Sequence, residues 1–274
     1  MALDKINTEP FDISTVTRSS KMVYNDGYDL SITVIKPNLA GHEKFEFPVF
    51  LFIASTGECQ LSIENQDHIV SQIVNRSRQA AVILNSPAIS AEQLPVFEWF
   101  AAMKWIAYCG TELGLDGRRI ALVGHELGAN VVAILSIMAL ADNFPNIRLQ
   151  VMIDTQFFLS QRLKKPNRGR CRTVPEHMRQ EWVDMESVYN LPLQSMMSEL
   201  SGLPPTIIEQ SLNMESFYEL GYYCSKLVGA GNSVTCVNFE ECNKEQCNNG
   251  IPYLSQKLVA HTAYELMKCQ KAQY

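Results

Sequence analysis

Apolar and polar side chains alternate, in part, along two segments at the start of the chain. The alternation runs from Thr15 to Tyr24 and from Tyr28 to Lys36, and Asp26-Gly27 lies between the two segments. Asp-Gly is one of the preferred pairs for a two-residue hairpin turn. The pattern therefore predicts an antiparallel hairpin.

Short apolar runs follow, of the kind found in parallel strands that are buried on both faces. The six predicted strands are Pro48 to Ile53, Ala80 to Leu84, Arg119 to Val123, Leu149 to Ile153, Thr206 to Glu209 and Val234 to Phe239. Between most of them, apolar residues recur at roughly i, i+3 and i+4, which is typical of amphipathic helices. The five predicted helices are Gln66 to Asn75, Leu94 to Leu113, Ala129 to Asn143, Ser216 to Gly229 and Leu254 to Gln270. This alternation predicts an α/β fold whose mainly parallel sheet has helices on both faces.

One stretch, from Phe157 to Leu203, shows no strand pattern and contains polar, proline-containing sequence. An insertion between two strands usually forms a lid over the carboxyl ends of the strands. We therefore predict a single domain over residues 1–274 with a small lid insertion at about residues 157–203.

Composition narrows the class of partner. The 274 residues are 46% hydrophobic, which is enough for one extensive core, and the net charge of -6 argues against a nucleic-acid or anionic membrane surface. The start of the chain lacks a signal-peptide pattern, and no apolar run approaches the ~18 residues of a membrane span. The eight cysteines are scattered and are expected to be free thiols. We expect a cytoplasmic protein that binds a small hydrophobic molecule, and a homodimer remains open.

The candidate chemistry centres on Gly124-His125-Glu126-Leu127-Gly128, between a predicted strand and a predicted helix. Flanking glycines allow a turn tight enough to lift the central side chain above the sheet. This is the pattern of a nucleophile elbow, G-x-S-x-G, with Glu126 in place of the serine. A carboxylate has no proton to lose at neutral pH, so a histidine base cannot activate it as it activates a serine hydroxyl.

The residues around this run resemble the hormone-sensitive-lipase-like branch of the α/β-hydrolase fold, which contains many carboxylesterases. The resemblance extends from about Pro48 to the C-terminus. It rests on the run from Glu112 to Gly124, on Leu200-Ser201-Gly202-Leu203-Pro204-Pro205-Thr206, and on Ala230-Gly231-Asn232-Ser233-Val234. It implies the α/β-hydrolase fold, with an opening antiparallel hairpin and a lid.

The resemblance also implies where functional residues should lie, and most of these positions are substituted. The oxyanion loop of the family, H-G-G-G, falls on Ala54-Ser55-Thr56-Gly57, of which only the last glycine matches. The acid position falls on Asn213 or Met214, neither of which is ionisable. The stretch from Phe239 to Cys247 contains no histidine, and Lys244 is nearest to the histidine position. The sequence thus predicts that the protein is not a serine esterase.

Three interpretations of Glu126 and Lys244 remain open. In the first, Glu126 is a general base and Lys244 its electrostatic partner in a non-hydrolytic enzyme, for example a cyclase, dehydratase or isomerase of secondary metabolism. In the second, the pair is a salt bridge in a redundant cavity, and the protein is a catalytically inactive pseudo-esterase that serves as a ligand receptor or scaffold. In the third, the protein is a hydrolase with Glu126 as a covalent nucleophile, although no histidine is at hand to activate water.

Further residues are expected to line the substrate pocket: Ser55, Thr56, Gly57, His125, Leu127, Asn213 and Met214. His261 falls within the last predicted helix and is expected near the surface or partly buried. Cys236, Cys242 and Cys247 lack a paired C-x-x-C spacing and a fourth ligand. No metal site and no cofactor are therefore expected.

Overall fold

The computed structural model describes residues 16–38, 45–54, 63–85, 95–155, 157, 191–211, 217–239 and 253–271. Within them, eight strands form one sheet in the order β1-β2-β4-β3-β5-β6-β7-β8. The strands are β1 Val16–Asn25, β2 Tyr28–Pro37, β3 Phe47–Ala54, β4 Ala80–Leu84, β5 Leu115–His125, β6 Ile147–Ile153, β7 Thr206–Ser211 and β8 Val234–Phe239. The helices are α1 Ile63–Ser77, α2 Val96–Cys109, α3 Leu127–Ala141, α4 Met197–Leu200, α5 Phe217–Gly229 and α6 Tyr253–Lys271.

The first two strands form the antiparallel hairpin that the alternation predicts. Asn25 pairs with Tyr28 across the turn, where Asp26 and Gly27 have φ angles of 50° and 84°. Two positive φ angles are what a type I′ turn requires. β2 also runs antiparallel to β4, and the remaining neighbours pair in parallel. The predicted mainly parallel sheet with an antiparallel opening is confirmed.

Among the strands, the predicted and observed boundaries agree closely at β4 and β8, and they differ most at β5. The apolar run predicts a start at Arg119, whereas β5 begins at Leu115. The extra residues include Asp116, a buried carboxylate whose two oxygens accept hydrogen bonds from Arg118 and Arg119. Because these arginines satisfy the charge, a polar segment continues a strand that hydrophobicity alone would end.

The helix predicted from Leu94 to Leu113 is divided. α2 ends at Cys109, and a turn of 3₁₀-helix covers Gly110–Leu113. Gly114 closes this turn with a left-handed φ of 64° and donates its N–H to the Gly110 and Thr111 carbonyls. A left-handed glycine commonly ends a helix in this way.

Helices cover both faces of the sheet, as predicted, and each face has its own hydrophobic cluster. We call the cluster that includes residues of α2, α3 and α5 the first core, and the cluster that includes residues of α1 and α6 the second core. Neighbouring residues of β5 pack into different cores, because Leu122 belongs to the first core and Val123 to the second core. This is the two-residue period of a strand buried on both sides.

Little of the predicted lid is described. A helical turn at residues 191–194 and the short helix α4 fall inside it, and residues 158–190 lie outside the described part of the chain. The lid and the single-domain boundary therefore stay predictions. None of the helices in the described residues is long and apolar enough to cross a membrane.

Candidate active site

The carboxyl ends of five parallel strands lie side by side at one edge of the sheet. Ala54 of β3 pairs with His125 of β5, which in turn pairs with Ile153 of β6. Further along, Ser211 of β7 pairs with Phe239 of β8. In parallel α/β sheets, ligands bind in the crevice outside this edge. The chain leaves these strands here for the segments 55–62, 212–216 and 240–252, which hold six of the residues assigned to the site.

Glu126 forms the turn between β5 and α3. Its backbone has φ 53° and ψ -116°, a conformation that residues with a β-carbon rarely adopt. The Glu126 N–H donates to the Ile153 carbonyl oxygen at 2.9 Å, and the Glu126 carbonyl oxygen accepts from the Ala129 N–H at 3.1 Å. The side chain is half-buried. The strained backbone of a nucleophile elbow is therefore present, with a carboxylate at its centre.

The two flanking glycines permit this turn for steric reasons. A β-carbon on Gly124 would lie 2.5 Å from the Gly128 carbonyl oxygen. A β-carbon on Gly128 would overlap the Ile53 carbonyl group and approach the Ala54 nitrogen. The first turn of α3 thus packs directly on β5 and on the end of β3. This contact explains the spacing G-x-E-x-G in physical terms.

His125 lies beside Glu126 but faces the neighbouring strand. Its Nε2 is 4.0 Å from Oδ2 of Asp154, which directly follows β6. Burial lowers the pKa of His125 even though the charges of Glu126 and Asp154 act in the opposite direction. Its Nδ1 is buried without a hydrogen-bond partner among the described residues. A neutral imidazole packed between strands fits a structural position, and its contact with substrate stays a prediction.

Leu127 is the first residue of α3 and is half-buried. The first N–H groups of a helix have no partner within the helix, and this end of the helix is electropositive. The carboxylate of Glu126 therefore lies at the positive end of a 15-residue helix. Such an end can stabilise a developing negative charge.

The other assigned residues lie outside the described part of the chain: Ser55, Thr56, Gly57, Asn213, Met214 and Lys244. The structure brings together Glu126, His125 and Leu127. The pair of Glu126 with Lys244 and the composition of the pocket therefore stay predictions.

Asp154 is a charged neighbour of the elbow that sequence reasoning missed. It has a positive φ of 45°, and its N–H donates to the Glu209 carbonyl oxygen at 2.8 Å. A signal was present, because a polar residue directly after a buried strand marks the edge where sites form. Asp154 is within range to act electrostatically on both His125 and Glu209.

A buried polar cluster joins β7 to α6. Nδ1 of His261 lies 2.7 Å from Oε1 of Glu209, and the Thr262 hydroxyl donates to the other carboxylate oxygen at 2.8 Å. His261 is more buried than the expected position near the surface or partly buried, because its side chain is only 8% exposed. Burial raises the pKa of Glu209 in spite of its bonds to His261 and Thr262. For His261 burial acts to lower the pKa, but the bond to Glu209 and the charges of Glu209 and Glu265 outweigh it and raise the pKa.

A shallow cleft lies at the opposite edge of the sheet and is separate from the elbow. Its lining residues are at the amino ends of the strands and on α6: Pro48, Gln79, Arg119, Ile120, Ala121, Arg148, Leu266 and Cys269. Among the described side chains, no three His, Cys, Asp or Glu residues are grouped as a metal ion would need.

Comparison with known proteins identifies the same fold. The model of the alpha/beta hydrolase fold family matches residues 52–245. An arylesterase of Saccharolobus solfataricus is 30% identical over 158 residues, which cover 54% of this chain and 51% of the relative. The chain thus spans about half the length of this curated relative.

Solved structures resemble the chain over nearly its whole length. A thermostable esterase from Pseudomonas putida has a TM-score of 0.71 at 21% identity, and the match covers 97% of this chain and 86% of that one. A hyperthermophilic esterase from Pyrobaculum calidifontis has a TM-score of 0.68 at 20% identity, with 92% and 85% covered. At this level of identity the likeness shows a shared fold.

These relatives correct the functional expectation. The prediction of a non-hydrolytic cyclase, dehydratase or isomerase, or of an inactive receptor or scaffold, is wrong because the matched relatives are esterases. The conclusion drawn from excluding the serine-esterase class, that the chain does not hydrolyse esters, is wrong for the same reason. The substitution itself remains, because Glu126 occupies the serine position of the elbow. The expectation rested on the substituted side chains, whereas the strained backbone of the elbow is present in the structure. The predicted resemblance is confirmed, and the chain belongs to the α/β-hydrolase-fold family, in its hormone-sensitive-lipase-like branch.

Proposed function

We propose that the protein hydrolyses carboxylic esters and that Glu126 is the general base that activates the attacking water. The observation that carries this proposal is the elbow, where Glu126 occupies the strained turn between β5 and α3. That turn is where an α/β-hydrolase presents its reacting group. The names of the relatives, arylesterase and esterase, support an ester as the substrate class. We further propose that the ester is small and hydrophobic.

Leaving-group chemistry favours a base over a nucleophile at this position. If a carboxylate attacked an ester carbonyl, the tetrahedral intermediate could expel either that carboxylate or the alcohol oxygen. Carboxylic acids ionise near pH ~4 and phenols near pH ~10, so the carboxylate leaves more readily and the ester re-forms. Removal of a proton from water avoids this return, because the attacking oxygen is then a hydroxide.

The start of α3 supplies the second element of the proposal. Attack on the carbonyl carbon places negative charge on the carbonyl oxygen, which needs hydrogen-bond donors. We assign the Leu127 N–H as one donor, since it follows Glu126 at the positive end of α3. The same backbone group serves this purpose in hydrolases with this elbow.

Substitution of Glu126 by glutamine tests the base. Glu126→Gln keeps the side-chain shape but removes the proton acceptor, so turnover of p-nitrophenyl acetate should fall by roughly 100-fold or more. Glu112→Gln is the matched control, because Glu112 lies in the 3₁₀ turn before β5, at the opposite end of that strand from Glu126. Its turnover should match that of the parent protein. Equal turnover in Glu126→Gln and Glu112→Gln would refute the proposal.

A trapping experiment separates the base from a covalent nucleophile. An acyl group on a carboxylate is an anhydride, which hydroxylamine converts into a stable hydroxamate. Turnover is therefore run with hydroxylamine present, the enzyme is digested, and the mass of the peptide that contains Glu126 is measured. A general base leaves this peptide unmodified, whereas a hydroxamate on Glu126 would overturn the assignment as base while retaining ester hydrolysis.

We also propose that the protein works in the cytoplasm. The described cysteines Cys109, Cys224, Cys236 and Cys269 are free thiols, which fits a reducing compartment.

A further inference from the structure

Two free thiols meet where α5 packs against β8, the last strand. Sγ of Cys224, on α5, lies 4.0 Å from Sγ of Cys236, on β8. Cys236 is exposed and Cys224 is half-buried. Cysteine sulfurs that are already in contact need only small side-chain rotations to reach bonding distance.

The backbone between the two cysteines holds them in this arrangement. α5 ends at Gly229, and Gly231 turns the chain with a φ of 84°. The Asn232 side-chain amide donates to the Leu200 and Leu227 carbonyl oxygens, and the Asn232 N–H also donates to that of Leu227. The turn from α5 to β8 is therefore fixed by several hydrogen bonds, which keeps the effective concentration of one thiol near the other high.

We propose that Cys224 and Cys236 form a reversible disulfide by exchange with a small organic disulfide such as glutathione disulfide. This inference does not depend on the proposed ester hydrolysis. It assigns a modification site to the contact between α5 and β8.

The exchange proceeds in two balanced steps. The Cys236 thiolate attacks one sulfur of glutathione disulfide, which forms a mixed disulfide and releases one glutathione thiolate. The Cys224 thiolate then attacks the Cys236 sulfur and releases the second glutathione thiolate. The two thiol protons pass to the two released thiolates through solvent. Two electrons thus move from the cysteine pair to the oxidant.

Exposure and protonation fix the order of these steps. Burial, with the charge and hydrogen bond of Cys236, raises the pKa of Cys224 to about 12. Cys224 is therefore protonated at neutral pH, and the exposed Cys236 meets the oxidant first. Once Cys236 is in a mixed disulfide, it can no longer carry the negative charge that opposes ionisation of Cys224.

Peptide mapping tests the site in the unmodified protein. The protein is equilibrated with glutathione disulfide and glutathione at a series of ratios, and free thiols are then blocked with N-ethylmaleimide. Digestion with trypsin and a glutamate-specific protease separates Cys236, in peptide 227–240, from Cys242. We expect peptide 220–226 linked to peptide 227–240, in an amount that rises with the disulfide ratio and is reversed by excess glutathione. A Cys236 linked to another cysteine would overturn the proposal.

Variants test the order of the steps. In Cys224→Ser, glutathione should remain on Cys236 at a level at least ~10-fold above that of the parent protein, because the resolving thiol is gone. In Cys236→Ser, Cys224 should stay a free thiol, which N-ethylmaleimide detects once the protein is unfolded. Cys109→Ser and Cys269→Ser are matched controls, and each should leave the linked peptide unchanged. Equal glutathione retention in the parent and in Cys224→Ser would refute the exchange.

Discussion

At the elbow, one residue combines a reactive group with a backbone conformation that its own β-carbon disfavours. The carboxylate of Glu126 is the general base that we propose, and the backbone that carries it has φ 53° and ψ -116°. Non-glycine residues in such regions cost about 1–3 kcal/mol each. Strain and chemistry at this position can therefore be measured separately.

Two substitutions of Glu126 measure the backbone strain separately from the loss of the carboxylate. Alanine and glycine both remove the carboxylate, but only glycine tolerates this φ and ψ without strain. We expect Glu126→Gly to be more stable than Glu126→Ala by about 1 kcal/mol in chemical unfolding. The same pair of changes at Ser225, an exposed position within α5, should show the reverse order, since glycine weakens helices. Alanine being the more stable at both positions would contradict this account.

The glycines beside Glu126 make a second residue-scale prediction. Gly128→Ala places a β-carbon against the Ile53 carbonyl group, so we expect a loss of at least ~3 kcal/mol in the free energy of unfolding. Gly221→Ala is the matched control, because a β-carbon there meets no atom within 4 Å. Gly221 lies inside α5, so alanine should stabilise the protein by about 0.5–1 kcal/mol. Thermal unfolding of both variants checks the two signs.

The sequence predicts some residues of the site and its surroundings better than others. The elbow was predictable because steric demands on Gly124 and Gly128 leave a local signature. Asp154 was missed although its position directly after β6 is a sequence signal. The partner of His261 was not predictable, since it depends on a contact between residues far apart in the chain. His261 is 52 residues from Glu209, and periodicity cannot pair them.

At the scale of elements, the buried cluster at Glu209 is the polar contact between β7 and α6. Two donors of α6, His261 and Thr262, converge on one carboxylate that is fully buried. Removing His261 leaves the buried Glu209 carboxyl group without one of these two hydrogen-bond partners. Among the described residues, the docking of α6 thus combines the apolar packing of the second core with this hydrogen-bonded cluster.

We expect His261→Ala to lower the free energy of unfolding by about 3–5 kcal/mol. Lys268→Ala, on the same helix with its side chain 65% exposed, is the control and should change it by less than ~0.5 kcal/mol. Chemical unfolding at neutral pH gives both values. A loss in His261→Ala no larger than that in Lys268→Ala would contradict a docking role.

The same cluster makes stability depend on pH. The pKa of His261 is raised in the folded protein, so its contribution to stability is complete below the unfolded pKa of about 6.5 and is lost as pH rises through the folded pKa. Glu265 and Lys268 also face His261 and act on it in opposite directions. The difference in unfolding free energy between the parent and His261→Gln should therefore shrink as pH rises from 6.5 to 9. A difference that grows would contradict the assigned protonation.

Element types were predictable to a greater degree than element ends. β4 and β8 match because apolar runs define them, and the hairpin follows from Asp26-Gly27. β5 extends beyond its apolar run because Arg118 and Arg119 neutralise a buried Asp116. A boundary set by side-chain pairing cannot be predicted from hydrophobicity alone.

At the scale of the whole molecule, one sheet carries two cores on its opposite faces. Leu122 and Val123 are adjacent in β5 and fully buried, yet they pack in different cores. Both cores therefore share the backbone ladders of the central strands. Unfolding of either core should remove support from the other.

Val123→Ala tests this dependence. Deleting two methyl groups from the second core should cost roughly 2 kcal/mol. In a Trp182→Phe background, the remaining tryptophans, Trp99 and Trp105, lie in the first core and report on it by fluorescence, whereas circular dichroism reports on the whole backbone. We expect both signals to shift by the same amount in denaturant. A tryptophan transition left at the parent midpoint would show that the cores unfold separately.

The parallel strands that end at one edge have a consequence for exchange between relatives. Ala54, Ser211 and Phe239 are held by main-chain pairing up to the last described residue of each strand. Segments grafted beyond these three junctions from another member of the family would start from positions that the sheet already sets. Exchange of these segments would therefore leave the turn between β5 and α3 that carries Glu126 unchanged.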